Sequence, residues 1–275
     1  MQQDNAIGMF MGLYIGDSIG AVLEFSQPNT GHPLTEMVGG GPHDTAVGEH
    51  TDDGAMSTCI ADAYLSYRRF APGAIAQNFK QWHRHGTFGT RNYCFDIGTT
   101  TADALNASSA KRPYGGSCAY MTDSNGCIMR AAPHILVNHR NKTQAIADSV
   151  AGAILTHGTG NCVSYTAQLA AELFDGSTAG DKRLLDKGTD KPDGSVMGCY
   201  ASAWDSIART TNFEDAVVHA INKGGDADTV GAVTGMIAGR IYGYSGIPKR
   251  WLDKLVKHDE LLAMANDLYD LYEGD

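Results

Sequence analysis

The chain is 275 residues long, 43% hydrophobic and 19% charged, a composition that supports a large buried core and excludes disorder. Its 31 acids outnumber its 21 bases, for a net charge of −10, and the first 67 residues hold nine acids and no lysine or arginine. That imbalance excludes the basic face of a nucleic-acid binder and the positive start of a secretory signal, and it points to a bound cation.

Helical periodicity dominates the chain. Ala6 to Phe25 has the apolar character of a membrane span, but Asp17 and Glu24 interrupt it, so a buried helix is expected. Residues 26–50, rich in Gly, Asp and Thr, read as a surface loop. From Gly54 to Tyr67, apolar residues fall on one face at three- and four-residue steps. Pro72 suits a first helical turn ahead of Ile75, Ala76, Phe79 and Trp82. In the His83-Arg84-His85 run the two histidines point to different faces, which favours solvated or packing roles over a metal pair. Helices are expected from Thr143 to Thr156 and from Val163 to Phe174, then a loop over 175–195 and a helix from Val196 to Ala208. Asn212 is placed to cap Phe213 to Asn222, which Gly224-Gly225 ends, and two last helices follow Pro248 and Asp259. Runs of alternating β-branched residues, linkers and long repeats are missing, so the expectation is one all-α domain over residues 1–275. The six cysteines form no C-x-x-C pair and read as reduced thiols of a cytoplasmic protein without membrane or nucleic-acid partners.

Glycine recurs every fourth residue at Gly8, Gly12, Gly16 and Gly20, and again at Gly231, Gly235, Gly239 and Gly243. Helical glycine costs roughly 1 kcal/mol against alanine, so two such stripes need an offset. Close backbone packing supplies one. The two helices are then expected to lie centrally and to hold the acids beside them near each other.

Three acidic groups flank these helices: Glu24, then Thr51-Asp52-Asp53, then Asp226-Ala227-Asp228-Thr229. Capping accounts for one acid at a helix start, but poorly for two acids and a hydroxyl, twice. Hard oxygen ligands of this kind suit Mg²⁺ or Mn²⁺ rather than zinc. No Walker loop is present, since Gly39-Gly40-Gly41-Pro42 lacks the Lys-Ser/Thr.

The stretches Gly16-Asp17-Ser18-Ile19-Gly20-Ala21 with Glu24, Thr51-Asp52-Asp53, and Gly225-Asp226-Ala227-Asp228-Thr229-Val230-Gly231-Ala232 together resemble the ADP-ribosylglycohydrolase family. The likeness runs from about residue 6 to residue 245. It implies an all-α, orthogonally packed domain with a central two-metal cleft. Two divalent cations, Mg²⁺ or Mn²⁺, would be held by Thr51, Asp52, Asp53, Asp226, Asp228 and Thr229. Glu24 matches the family's movable glutamate, and Asp96, in Phe95-Asp96-Ile97-Gly98-Thr99-Thr100, the aspartate of the arginine-type branch. Asn125 and Gly126, in a segment resembling N-G-x-x-M-R, would line the ribose and phosphates, although Ser124 stands where the family commonly has glycine. Thr156-His157 matches only the first half of a T-H-x-H-P motif, with His157 as a ligand contact.

The implied activity is metal-dependent release of mono-ADP-ribose from protein, with the arginine linkage favoured and Glu24 or Asp96 assisting proton transfer. Another linkage (serine, O-acetyl-ADP-ribose or a nucleic-acid end), a non-catalytic ADP-ribose binder or structural relative, and a two-metal phosphohydrolase stay open as alternatives.

Overall fold

The computed structural model describes residues 1–178, 180 and 192–272. Among them lie twelve α-helices, four short 3-10 turns, a few isolated bridges and no sheet, so the fold is all-α. In chain order the helices are α1 (Gln3–Gly20), α2 (Asp52–Tyr67), α3 (Pro72–His85), α4 (Thr99–Ala107), α5 (Ala132–Val137) and α6 (Lys142–Ile154). They continue with α7 (Gly160–Asp175), α8 (Val196–Ala208), α9 (Phe213–Ile221), α10 (Ala227–Tyr242), α11 (Lys249–Leu252) and α12 (His258–Asp270). Of the loop expected over 175–195, residues 179 and 181–191 lie outside the described residues.

Local chemistry explains where several helices begin and end. The Asn212 side chain accepts a hydrogen bond from Asp215 N at 2.8 Å and so caps α9. Pro72 opens α3, whose Ile75, Ala76, Phe79 and Trp82 are buried while His83 is half-buried and His85 exposed. Two helices escape the periodicity argument. α5 is buried on all sides and has no polar face, and α4 buries only Thr101, Ala104 and Leu105. The first helix stops at Gly20, a 3-10 turn spans Ala21–Leu23, and Glu24 and Phe25 follow outside the helix.

The core is organised by α1 and α10. Apolar enough by length and composition to cross a membrane, α1 is instead enclosed by protein, and residues Ala6 to Ala21 are all buried. It runs antiparallel to α10, with Gly8, Gly12, Gly16 and Gly20 set against the backbone of Gly239, Gly235, Gly231 and Ala227. At Gly16 an added Cβ would strike the Gly231 carbonyl, and at Gly235 it would strike that of Gly12. These are backbone atoms that no rotamer change can move aside. Close approach of this kind also offsets the weak helix propensity of glycine by packing backbone on backbone.

The register carries the site. Asp17, fully buried beside Gly16, accepts hydrogen bonds from Thr51 N at 2.8 Å and Gly54 N at 2.9 Å, which ties α1 to the start of α2. Gly20 packs on Ala227 and Asp228 at the start of α10. Substituting Gly16→Val or Gly235→Val is expected to remove more than about 3 kcal/mol of stability, read by urea denaturation. Gly31→Ala, where an added Cβ meets nothing within 4 Å, should stay within about 0.5 kcal/mol of the parent.

Candidate metal centre and its cavity

Two helix N-termini converge beneath a cavity. Thr51 is the N-cap of α2, and Asp52 and Asp53 are its first residues; Asp226 is the N-cap of α10, with Asp228 and Thr229 in its first turn. Neither N-cap side chain accepts a hydrogen bond from a backbone N–H of its own helix. Capping therefore does not account for these acids. Instead Asp52, Asp53 and Asp228, respectively 7%, 0% and 2% exposed, bring carboxylate oxygens within 4.8 Å of one another. The Thr51 hydroxyl donates towards Asp228 Oδ2 at 3.2 Å and Asp53 Oδ2 at 3.4 Å, and the Thr229 hydroxyl reaches Asp53 Oδ2 at 3.4 Å. Asp226 Oδ2 accepts from Asn125 Nδ2 at 2.9 Å.

The cluster has no counter-charge among the described residues. Among the described residues no lysine, arginine or histidine pairs with Asp52, Asp53, Asp226 or Asp228, and the buried oxygens Asp53 Oδ1 and Asp228 Oδ1 have no hydrogen-bond partner. Burial, and then repulsion by neighbouring carboxylates, pushes Asp52, Asp53 and Asp228 well above the ordinary carboxylate range. Asp17 is pushed up to about 7, burial outweighing its two backbone donors. Convergent hard oxygens, orphaned acceptors and positive helix ends that hold the acids in place fit a hard divalent cation.

The cavity above the cluster has a volume of about 410 Å³. Its walls are Glu24, Phe25 and residues 96–101 on one side, and Ser124 to Gly126, Met129, Asp193 and Gly194 on the other, over a floor of Asp52, Asp226, Asp228 and Thr229. A larger hollow of about 740 Å³, lined by Pro28, Arg209, His219 and Lys223 among others, lies apart from the cluster and offers no convergent acids.

At the rim, Glu24 and Asp96 share a histidine. His43 Nε2 lies 2.9 Å from Glu24 Oε2 and 2.9 Å from Asp96 Oδ1. Burial raises both carboxyls, Glu24 to about 9 with Asp96 as the next cause. The loops that carry these groups are clamped by Arg91. Its guanidinium bonds Glu49, donates to His43 O at 3.1 Å and Asp44 O at 2.9 Å, and sits 4.4 Å from the Phe95 ring centre.

On the opposite wall, the 3-10 turn Asn125–Cys127 rests on buried Arg130, which donates to Gly126 O, and to Thr156 Oγ1 at 2.5 Å. His157 is fully buried and is not on the cavity wall. Its Nδ1 bonds Thr156 Oγ1 and its Nε2 bonds Ser124 Oγ, both at 2.8 Å. Burial, and then Arg130, lower its pKa to about 3, so the ring is neutral. Ser124, which does line the cavity, stands between His157 and the space.

Of the six residues expected around the cations, Thr51, Asp52, Asp53, Asp228 and Thr229 thus form one cluster and Asp226 lines the same cavity; Glu24 and Asp96 sit on its rim, Asn125 and Gly126 form the facing wall, and His157 lies one side chain behind it. Sequence reasoning missed His43, Phe25, Ser124 and Arg130 as parts of the site, and the latching role of Asp17. Asp17 and Arg130 lie inside quoted motifs and were visible there; His43 sits in a loop whose residue types carry no local signal.

The family model described as ADP-ribosylglycohydrolase matches residues 1–193 and 181–275. An ADP-ribosylarginine hydrolase, Tri1, of Serratia proteamaculans is 33% identical over 97% of this chain and 79% of its own. The ADP-ribosyl-[dinitrogen reductase] glycohydrolase of Rhodospirillum rubrum is 27% identical over 92% of this chain and 90% of its own. A solved structure titled "ADP-ribosylglycohydrolase-related protein complex" superposes with a TM-score of 0.85 at 31% identity, covering 98% of both chains.

Mg²⁺ or Mn²⁺ at about a hundredfold excess over its dissociation constant should stabilise the fold by about 2.7 kcal/mol, several degrees in melting temperature, and a chelator should reverse it. Asp53→Asn and Asp228→Asn should melt no lower than the chelated parent, because a repelling charge is gone, and should lose most of the metal-dependent rise. A parent melting curve indifferent to both ions would mean that the cluster is not a cation site.

Proposed function

The chain belongs to the ADP-ribosylglycohydrolase family, and on that premise we propose that it hydrolyses mono-ADP-ribose from modified protein side chains, with the N-glycosidic bond to arginine as its linkage. The observation that carries this reading is the buried, uncompensated acid cluster at the floor of a cavity whose rim presents two further carboxylates. The arginine linkage is supported by the names of the relatives and by the place of Asp96 at that rim. The family match across both halves of the chain supports treating residues 1–275 as one domain. Six unpaired cysteines suit a reducing cytoplasm.

Thr51, Asp52, Asp53, Asp226, Asp228 and Thr229 would hold two divalent cations, Mg²⁺ or Mn²⁺. Ions held by those residues would supply Lewis acidity towards ribose hydroxyls and water. The rest is the work of side chains. The Asn125–Gly126 wall, propped from behind by Arg130, offers backbone and amide groups to the nucleotide part without bringing a positive side chain into the cavity. Glu24 and Asp96 are the groups placed to move protons: one proton must leave the attacking water and one must reach the departing guanidine nitrogen. His43, whose Nε2 lies 2.9 Å from each carboxylate, gives them a shared polar neighbour. Water is consumed, and ADP-ribose and an unmodified arginine are the products.

Purified protein with Mg²⁺ or Mn²⁺ should release ADP-ribose from ADP-ribosylarginine, and a chelator should stop it. Asp228→Ala should lower kcat/KM by on the order of 10³-fold, and Glu24→Gln or Asp96→Asn by about 10²–10⁴-fold. Full turnover by the Asp228 variant would refute the cation assignment. Peptides modified on arginine, serine or glutamate, compared in one assay, would report the linkage.

A further inference from the structure

Phe25 is placed as no core residue would be. It follows Glu24 directly, lines the cavity, and is 67% exposed. Its backbone is left-handed, at φ 59°, a conformation that bulky residues adopt only where the surroundings impose it. The imposition is visible: Phe25 N donates to Gly225 O at 2.6 Å, and Gly225 N donates back to Ser26 O at 3.0 Å. Those bonds fix Phe25 to the residue preceding Asp226. Strain that displays an apolar ring to solvent has no packing reward, so its reason lies in what the ring meets.

The surroundings describe that ligand. The ring makes an edge contact with His43, centres 6.4 Å apart and planes at 63°, and His43 is in turn held at Glu24 and Asp96. Among the described residues, six carboxylates line the cavity and no lysine or arginine does. Glu24 and Asp96 both lie at His43, whose ring Phe25 touches, so this end of the cavity pairs an aromatic ring with anionic oxygens. A flat cation satisfies both at once, stacking on the ring while its N–H groups point at carboxylates. The neighbouring loop already does this internally, with the Arg91 guanidinium 4.4 Å from the Phe95 ring centre.

We propose that Phe25 is the acceptor-side recognition residue: its ring stacks on the guanidinium of the modified arginine and sets the preference for that linkage. The inference rests on the arginine reading given above. Stacking of this kind is worth about 3- to 30-fold in affinity. Phe25→Ala should therefore lower kcat/KM on ADP-ribosylarginine by that factor, and Phe25→Tyr, which keeps the ring, should restore most of it. Affinity for ADP-ribose itself, which has no guanidinium, should stay within about twofold by calorimetry. Phe25→Gly, free to adopt the left-handed backbone, should melt no lower than the parent and still lose the same factor in kcat/KM. Undiminished turnover in the Ala and Gly variants would overturn the proposal, as would a parallel loss of ADP-ribose affinity, which would make Phe25 a scaffold for the nucleotide end. A parent protein inert towards ADP-ribosylarginine would instead refute the arginine reading, and it would show before any variant is made.

Discussion

Backbone-to-backbone contact between α1 and α10 is the constraint on which the site depends. At Gly16 and Gly231 the two helices approach so closely that a single methyl group on either would strike the other's backbone. Such a contact leaves almost no freedom of register: sliding one helix by a residue would drive side chains into the gap. Because Asp17 follows Gly16 and Asp228 packs beside Gly20, that fixed register also fixes the acids. Asp17 passes it on by accepting Thr51 N and Gly54 N, which sets where α2 begins and hence where Asp52 and Asp53 lie. Three segments remote in sequence thus meet without any of their functional carboxylates having to hold the fold together.

That division of labour is electrostatically necessary. A carboxylate used as a scaffold must have its oxygens satisfied, as those of Asp17 are by backbone N–H groups. A carboxylate able to take a cation must keep an oxygen free, and Asp53 and Asp228 each have an Oδ1 without a hydrogen-bond partner. Gathering several such acids in a buried place is unfavourable, and the positive ends of two helices offset only part of the repulsion. Arg130 is close enough to act on Asp52 and Asp53, yet its guanidinium is committed to Gly126 O and Thr156 Oγ1. The remaining charge is left for an ion or a proton, which makes the centre dependent on what binds it.

Much of this was legible in the sequence because the causes are local. Four-residue glycine spacing reports a close helix contact, and paired acids at helix starts report a centre that capping does not explain. Asn212 announced its own cap, and α8 spans Val196 to Ala208 as its periodicity indicates. Elements without local contrast were illegible. All six residues of α5 are buried, so it has no amphipathic pattern to read. His43 lies in a long irregular loop, and its meeting with Glu24 and Asp96 depends on Arg91 pulling that loop against residues 91–96. No spacing rule encodes a contact made through a third residue.

The broken T-H-x-H-P motif shows how a departure from a family pattern can be absorbed locally. The position of the second histidine is taken by Thr159, whose hydroxyl accepts from Cys162 N at 3.2 Å and caps α7. A residue committed to starting a helix cannot also reach a ligand. The first histidine, His157, is kept neutral by burial and by Arg130, and both of its ring nitrogens are engaged, one by Thr156 and the other by Ser124. Glycine at position 124 would leave Nε2 open towards the cavity; serine closes it and puts a hydroxyl on the wall instead. The two departures therefore belong together. With Thr159 turned to capping and His157 withdrawn behind Ser124, the Ser124–Gly126 stretch of the wall is built from neutral groups, and the field inside the cavity is set by carboxylates, Asp193 among them, and whatever cations they hold.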